Sequence, residues 1–214
     1  MTSGRANPET AVVDANVFYS QYQRNVFMTL AVERLFALHW TDEIETEWLN
    51  ALRRNRPDLG AERLQRTARA MKNALPGARL SDYRRFESML ALTDPKDRHV
   101  AAAAIRCAPC TLVTWNLRHF NGAELAAHGV SMSDPDDFLC RIFAADPAFA
   151  VVSTARSYSF LKKHAGAPTW SEYIDILDRD GLKNFAGCLR KHAPIAEIPS
   201  DIDALDTPES DEDS

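Results

Sequence analysis

Several carboxylates in this sequence stand where apolar runs end. Asp14 closes the run 10–13, and Asn16 follows it. Glu47 lies in the charged stretch 42–55, beside Trp48. Asp94 and Asp97 precede an Ala-rich stretch, and Asn116 stands two residues beyond the run TLVT, 111–114. Carboxylates drawn into one cleft repel each other and resist the loss of water. A hard divalent cation relieves that repulsion. Mg²⁺ or Mn²⁺ accepts oxygen ligands from a few carboxylates and keeps waters beside them. Such an ion activates water and steadies charge on a phosphoryl oxygen. Each acid also has a plainer use. Asp94 and Asp97 suit the cap of a helix. Glu43, Glu45 and Glu47 fall where acids are favoured near any helix N-terminus. Asn16 suits the cap of a turn.

The elements that must position these groups follow from pattern. TAVV (10–13) reads as a buried strand, and residues 25–38 carry apolar groups at helical spacing. LHW (38–40) suits a second short strand. DEIETEWLNALRRN (42–55) opens with a capping-box pattern, Asp42 with Glu45, and predicts a helix that Pro57 ends. A further helix is expected over 60–75, before Pro76 and Gly77. Residues 97–107 are Ala-rich, and small side chains let a helix pack close on a sheet. TLVT is a β-branched run and predicts a strand. GVSM (129–132) suits a last one.

Strand and helix thus alternate through residue 133. That order predicts an α/β fold with a mostly parallel central sheet and helices on both faces. Sites in such sheets form at the carboxyl ends of strands, so Asp14 and Asn116 are expected at one cleft. From 134 to 193 four helical stretches follow without a strand: 135–145, 147–164, 170–179 and 181–193. They predict a helical C-terminal domain after a first domain at 1–133.

The net charge of -5 conceals an asymmetry. All eight acids beyond Lys191 lie in a stretch without Lys or Arg, so 194–214 reads as an acidic disordered tail. Residues 53–85 hold ten basic side chains against three acidic ones, a net of +7. A field of that size suits phosphates, and equally a solvated helix face. Arg53, Arg54, Arg56, Arg63, Arg66 and Arg69 are its candidate phosphate contacts. No apolar stretch approaches the roughly 20 residues that span a bilayer, and the N-terminus lacks the build of a secretory signal. A soluble, cytoplasmic protein is the expectation. The four cysteines include one lone CxxC, Cys107 and Cys110, which lacks the partners of a zinc site.

The order and wording of the acidic blocks resemble a known family. VVDANVF, EIETEW, DPKDRHVAAAAI and VTWNLRHF look like the four acidic blocks of PIN-domain ribonucleases, above all the VapC toxins of bacterial toxin–antitoxin pairs. The resemblance spans about residues 10–133, and the helical extension is similar to that of larger VapC-like toxins. It implies a three-layer PIN-like fold and a Mg²⁺- or Mn²⁺-dependent endoribonuclease that cleaves structured RNA, tRNA or rRNA, and so inhibits translation. Asp14, Glu47 and Asp97 match the metal-holding acids. Asn116 matches the fourth position, which is often Asp. Where that residue is Asn, an Asp usually follows three residues later, and here His119 stands there. His119 and Asp94 are accessory candidates, and the arginines of 53–69 would hold RNA. The resemblance also implies a small cognate antitoxin and a homodimer. Arg24 matches a commonly basic position and suits a helix contact. The rival expectation is a catalytically weak PIN-like module that binds RNA or protein. An aspartyl phosphotransferase is disfavoured, because Asn16 stands where its second acid belongs.

Overall fold

The computed structural model describes residues 8–162 and 166–192. The expected tail at 194–214 lies outside them. The first strand, β1 (Glu9–Val13), runs into a short helix α1 (Ala15–Tyr19) and then α2 (Gln21–Val32). Then come β2 (Phe36–Thr41), α3 (Asp42–Asn55), α4 (Ala61–Ala74) and β3 (Arg79–Leu80). Helix α5 (Arg98–Cys107) leads into β4 (Cys110–Val113), α6 (Gly122–Ala126) and β5 (Val130–Ser133). The last described elements are α7 (Pro135–Ala145), α8 (Pro147–Lys162), α9 (Trp170–Arg179) and α10 (Lys183–His192).

The five strands form one all-parallel sheet in the order β3-β2-β1-β4-β5. Central strands of such a sheet have no wet face. Ala11, Val12 and Val13 of β1 and every residue of β4 are accordingly buried. Ala101–Ala104 of α5 are also fully buried, and α5 packs on β1, β4 and β2. Each large apolar side chain buried in this core contributes about 1.5–3 kcal/mol. The expected α/β fold with a helix-covered parallel sheet is the one observed.

Three boundaries differ from the pattern. Helix α2 starts earlier, with Ser20 Oγ accepting from the Tyr22 and Gln23 amides, and it stops at Val32 rather than at 38. The stop is a Schellman closure. Arg34 N–H donates to Ala31 O and Leu35 N–H to Leu30 O, both at 3.0 Å, with Arg34 at φ 61. Glycine normally marks that left-handed position, and its absence hides the stop. The cap of α3 is Thr41, whose Oγ1 accepts from Ile44 N–H at 3.2 Å. Asp42 is instead the first helical residue and pairs with Arg79. Glu45 is not a capping partner; it is buried, 2.7 Å from Lys72 Nζ. The two-residue edge strand β3 has no pattern long enough to read.

The C-terminal helices share the sheet's core. Phe138 of α7 stacks on Phe27 of α2 and meets Phe36 of β2 edge-on, with centroids 5.9 and 5.0 Å apart. Helix α8 lies along α2, where Arg156 pairs with Glu33. Asp136 accepts from the Asn184 and Phe185 amides at 2.9 Å, so α7 caps the first turn of α10.

Candidate metal centre

The sheet order reverses direction between β1 and β4, and their carboxyl ends open one crevice. Asp14 sits at the end of β1. Its N–H extends the ladder to Val113 O at 3.0 Å, which fixes its side chain at the sheet edge. Oδ1 accepts from Ala15 N–H at 2.6 Å. Oδ2 accepts from Thr114 Oγ1 at 2.7 Å and from Asn16 Nδ2 at 2.6 Å. Asn16 Oδ1 in turn accepts from Trp115 N–H at 3.2 Å. The strand ends are thereby laced through one carboxylate. Burial pushes the Asp14 carboxyl above its ordinary value. The Thr114 and Ala15 hydrogen bonds pull it back, and the charges of Asp97 and Glu47 push it up again. The net direction is up.

Glu47 comes from the exposed side of α3, and the structure gives it a partner that pattern did not reveal. His99, in the first turn of α5, is buried. Its Nε2 stands 3.0 Å from Glu47 Oε1, and its Nδ1 stands 3.9 Å from Glu43 Oε2. The Nε2 contact is at ion-pair distance but off the hydrogen-bonding line. Burial alone would lower the His99 pKa; the Glu47 carboxylate beside it, with the charges of Glu43 and Asp14, outweighs burial and leaves it raised. His99 therefore spans two acids one turn apart on α3.

Asp97 occupies the N-cap position of α5, yet its side chain makes no cap hydrogen bond. It turns to His119 instead, with Oδ2 3.0 Å from Nδ1. Asp94 joins them: one ligand atom each from Asp94, Asp97 and His119 lie within 4.8 Å of one another. The backbone holds the group, since Asp94 N–H donates to His119 O and Asp97 N–H to Asp94 O, both at 2.9 Å. Asp94 is exposed, while Asp97 and His119 are half-buried. Two carboxylates and an imidazole in that space could hold a metal ion.

Asn116 is half-buried at the start of the 3₁₀ turn Leu117–His119, and its side chain does not cap that turn. Its N–H donates to Thr114 Oγ1 at 3.0 Å, and its C=O accepts from His119 N–H at 2.9 Å. It thus links Thr114 to the His119 loop.

The expected RNA-binding arginines spread over two helices. Arg53 donates to Asn50 Oδ1 at 2.9 Å, Arg56 forks onto Asp58, and Arg66 pairs with Glu62 at 2.6 Å. Arg63 and Arg69 are exposed on α4. Arg54 differs, because it lines a groove that also takes in Asn16 and Glu47. Arg24 is buried: it donates to Phe18 O at 2.6 Å, lies 5.0 Å above the Trp48 ring, and burial lowers its pKa to about 10. It ties the end of α1 to α3.

Compared with known proteins, the chain matches no family model, no curated protein and no solved structure. Of the residues singled out in the sequence, the structure brings Asp94, Asp97 and His119 together, while Asp14 and Glu47 lie outside that group and reach it only through their charges. His99 and Thr114 were not singled out. Thr114 carried a signal, a polar residue closing a β-branched run. His99 carried only its departure from an otherwise apolar stretch.

Proposed function

We propose that this chain is a metal-dependent endoribonuclease acting in the cytoplasm as the toxin of a toxin–antitoxin pair. The single observation that carries the metal centre is the group Asp94, Asp97 and His119, whose ligand atoms lie within 4.8 Å of one another; Asp14 and Glu47 join it by the resemblance of the sequence blocks. The donor set fits Mg²⁺ or Mn²⁺: it offers carboxylate oxygens whose mutual repulsion a cation removes. Bound there, the cation supplies polarisation of a water and neutralisation of charge on a phosphodiester.

The chain's own residues do the positioning. Thr114 and Asn16 fix the Asp14 carboxylate, and His99 steadies Glu47. His119, half-buried and 3.0 Å from Asp97, is the candidate to orient a water or carry a proton in the site. Arg54, with exposed arginines of α3 and α4, supplies the positive field that holds the RNA backbone. Assignment as a toxin, with structured RNA as substrate and a small antitoxin and a second copy as partners, rests on the resemblance of the four sequence blocks. No described helix is long and apolar enough to cross a membrane.

The second reading is a binding module without cleavage. It is favoured by one observation, that Asn116 and His119 stand where a fourth carboxylate belongs. Purified protein incubated with total RNA separates the two. The nuclease reading predicts discrete fragments with Mn²⁺ or Mg²⁺ and none with EDTA. RNA that binds yet stays intact with either metal supports the module.

A further inference from the structure

The groove beside the metal centre has a composition that the acids do not explain. It has a volume of about 580 Å³ and lies between α1 and α3, within the range of small-ligand pockets. One wall is Ala15, Asn16 and Tyr19 of α1. The other is Glu47, Asn50, Ala51 and Arg54, one face of α3. From Glu47 to Arg54 the helix rises about 10 Å. Tyr19 is 36% exposed, unusual for an aromatic side chain in this protein. Arg54 is the arginine of this helix end that lines the groove; Arg53 donates to Asn50 of the groove wall, and Arg56 pairs with Asp58. Buried Trp48 and Arg24 brace the wall from behind.

We infer that this groove seats one unpaired nucleotide of an RNA strand next to the metal centre, with its base against Tyr19 and its phosphate at Arg54. The inference rests on the ribonuclease reading and deepens it. Three chemistries meet within one nucleotide's reach. An exposed aromatic face stacks a base regardless of its identity. A guanidinium takes a phosphate. Asn50 and Asn55 offer amide groups to a base edge. A base inside a duplex is stacked and cannot reach Tyr19, so the strand must be unpaired there. Asn16 and Glu47 belong to both groove and metal centre, which places the phosphate next along the strand at the acids.

Fluorescence anisotropy of the full chain in EDTA, with a labelled eight-nucleotide single-stranded RNA of mixed sequence, tests this. Circular dichroism checks that each variant is folded. Tyr19→Ala is expected to weaken binding about ten-fold or more, and Tyr19→Phe to leave it close to wild type. Arg54→Ala is expected to weaken binding and to lower the salt slope by about one. Arg106→Ala, exposed in the last turn of α5, which leads into the amino end of β4, is expected to bind as wild type. A folded Tyr19→Ala protein that binds as tightly as wild type overturns the subsite and leaves the ribonuclease reading standing. So does a perfect RNA duplex that binds as well as the single strand. Wild type that binds no RNA at all overturns both.

Discussion

Thr114 donates its hydroxyl proton to Asp14 Oδ2 at 2.7 Å, joining two strand ends a hundred residues apart in sequence. Both side chains are buried. Asp14 Oδ2 then keeps only the Asn16 amide as a second donor. Thr114→Val preserves shape and removes that hydrogen bond. It should cost about 1–3 kcal/mol, because a buried carboxylate loses a partner. It should also raise the Asp14 pKa further. Urea denaturation in EDTA measures the first effect. An unchanged midpoint would mean that the bond contributes nothing to the fold.

Burial sets the pH dependence of Asp14, with Asp97 and Glu47 adding to it. A carboxyl whose folded pKa is raised contributes stability that is full below its unfolded pKa. That contribution is lost as pH rises through the folded value. In EDTA, wild type should therefore lose stability relative to Asp14→Asn as pH climbs from the ordinary aspartate range toward neutral. Mn²⁺ at neutral pH should reverse this and raise the Tm of wild type but not of Asp14→Asn. Parallel pH curves for the two proteins would remove Asp14 as a strained carboxylate.

His99 acts through Glu47. Outer partners of metal-holding side chains are typically worth 10–100-fold in affinity. His99→Ala should weaken Mn²⁺ binding, read by calorimetry, within that range. His99→Gln should recover part of it by offering an amide donor. Equal Mn²⁺ affinity in His99→Ala and wild type would leave His99 as packing alone.

The C-terminal helices meet the site through Asp180 and Gly181. Trp115 Nε1 donates to Gln23 Oε1 at 3.1 Å, and Gln23 Nε2 donates to Asp180 O. Gly181, next in the chain, has φ +103, and a Cβ there would meet the Trp115 ring at 3.0 Å. Gly181→Ala should cost more than about 1 kcal/mol, because both backbone and contact oppose it. It should also shift Trp115 fluorescence in the folded state. A neutral substitution would show that the Gly181–Trp115 contact does not brace the site.

Legibility in the sequence followed the length of the signal. Strands β1 and β4 were readable because parallel central strands are continuous apolar runs. Helix α3 was readable from its bounds, and Asp14 from its place at a strand end. The end of α2 was hidden because Arg34, not glycine, takes the left-handed turn. The capping box at Asp42 was one residue out of register, since Thr41 competes for the same helix end. His99 was hidden because its role depends on a helix 50 residues earlier, and no local pattern encodes that pairing.

We propose that Asp14, Glu47 and Asp97 make this chain an RNA-cutting enzyme. The most direct test is induced expression of wild type and Asp14→Ala in bacteria, with new RNA 5′ ends mapped by sequencing. Growth arrest with discrete new 5′ ends in wild type only is the predicted result. Abundant, folded wild type that yields no new ends in the absence of an antitoxin would contradict it, as would equal cutting by Asp14→Ala.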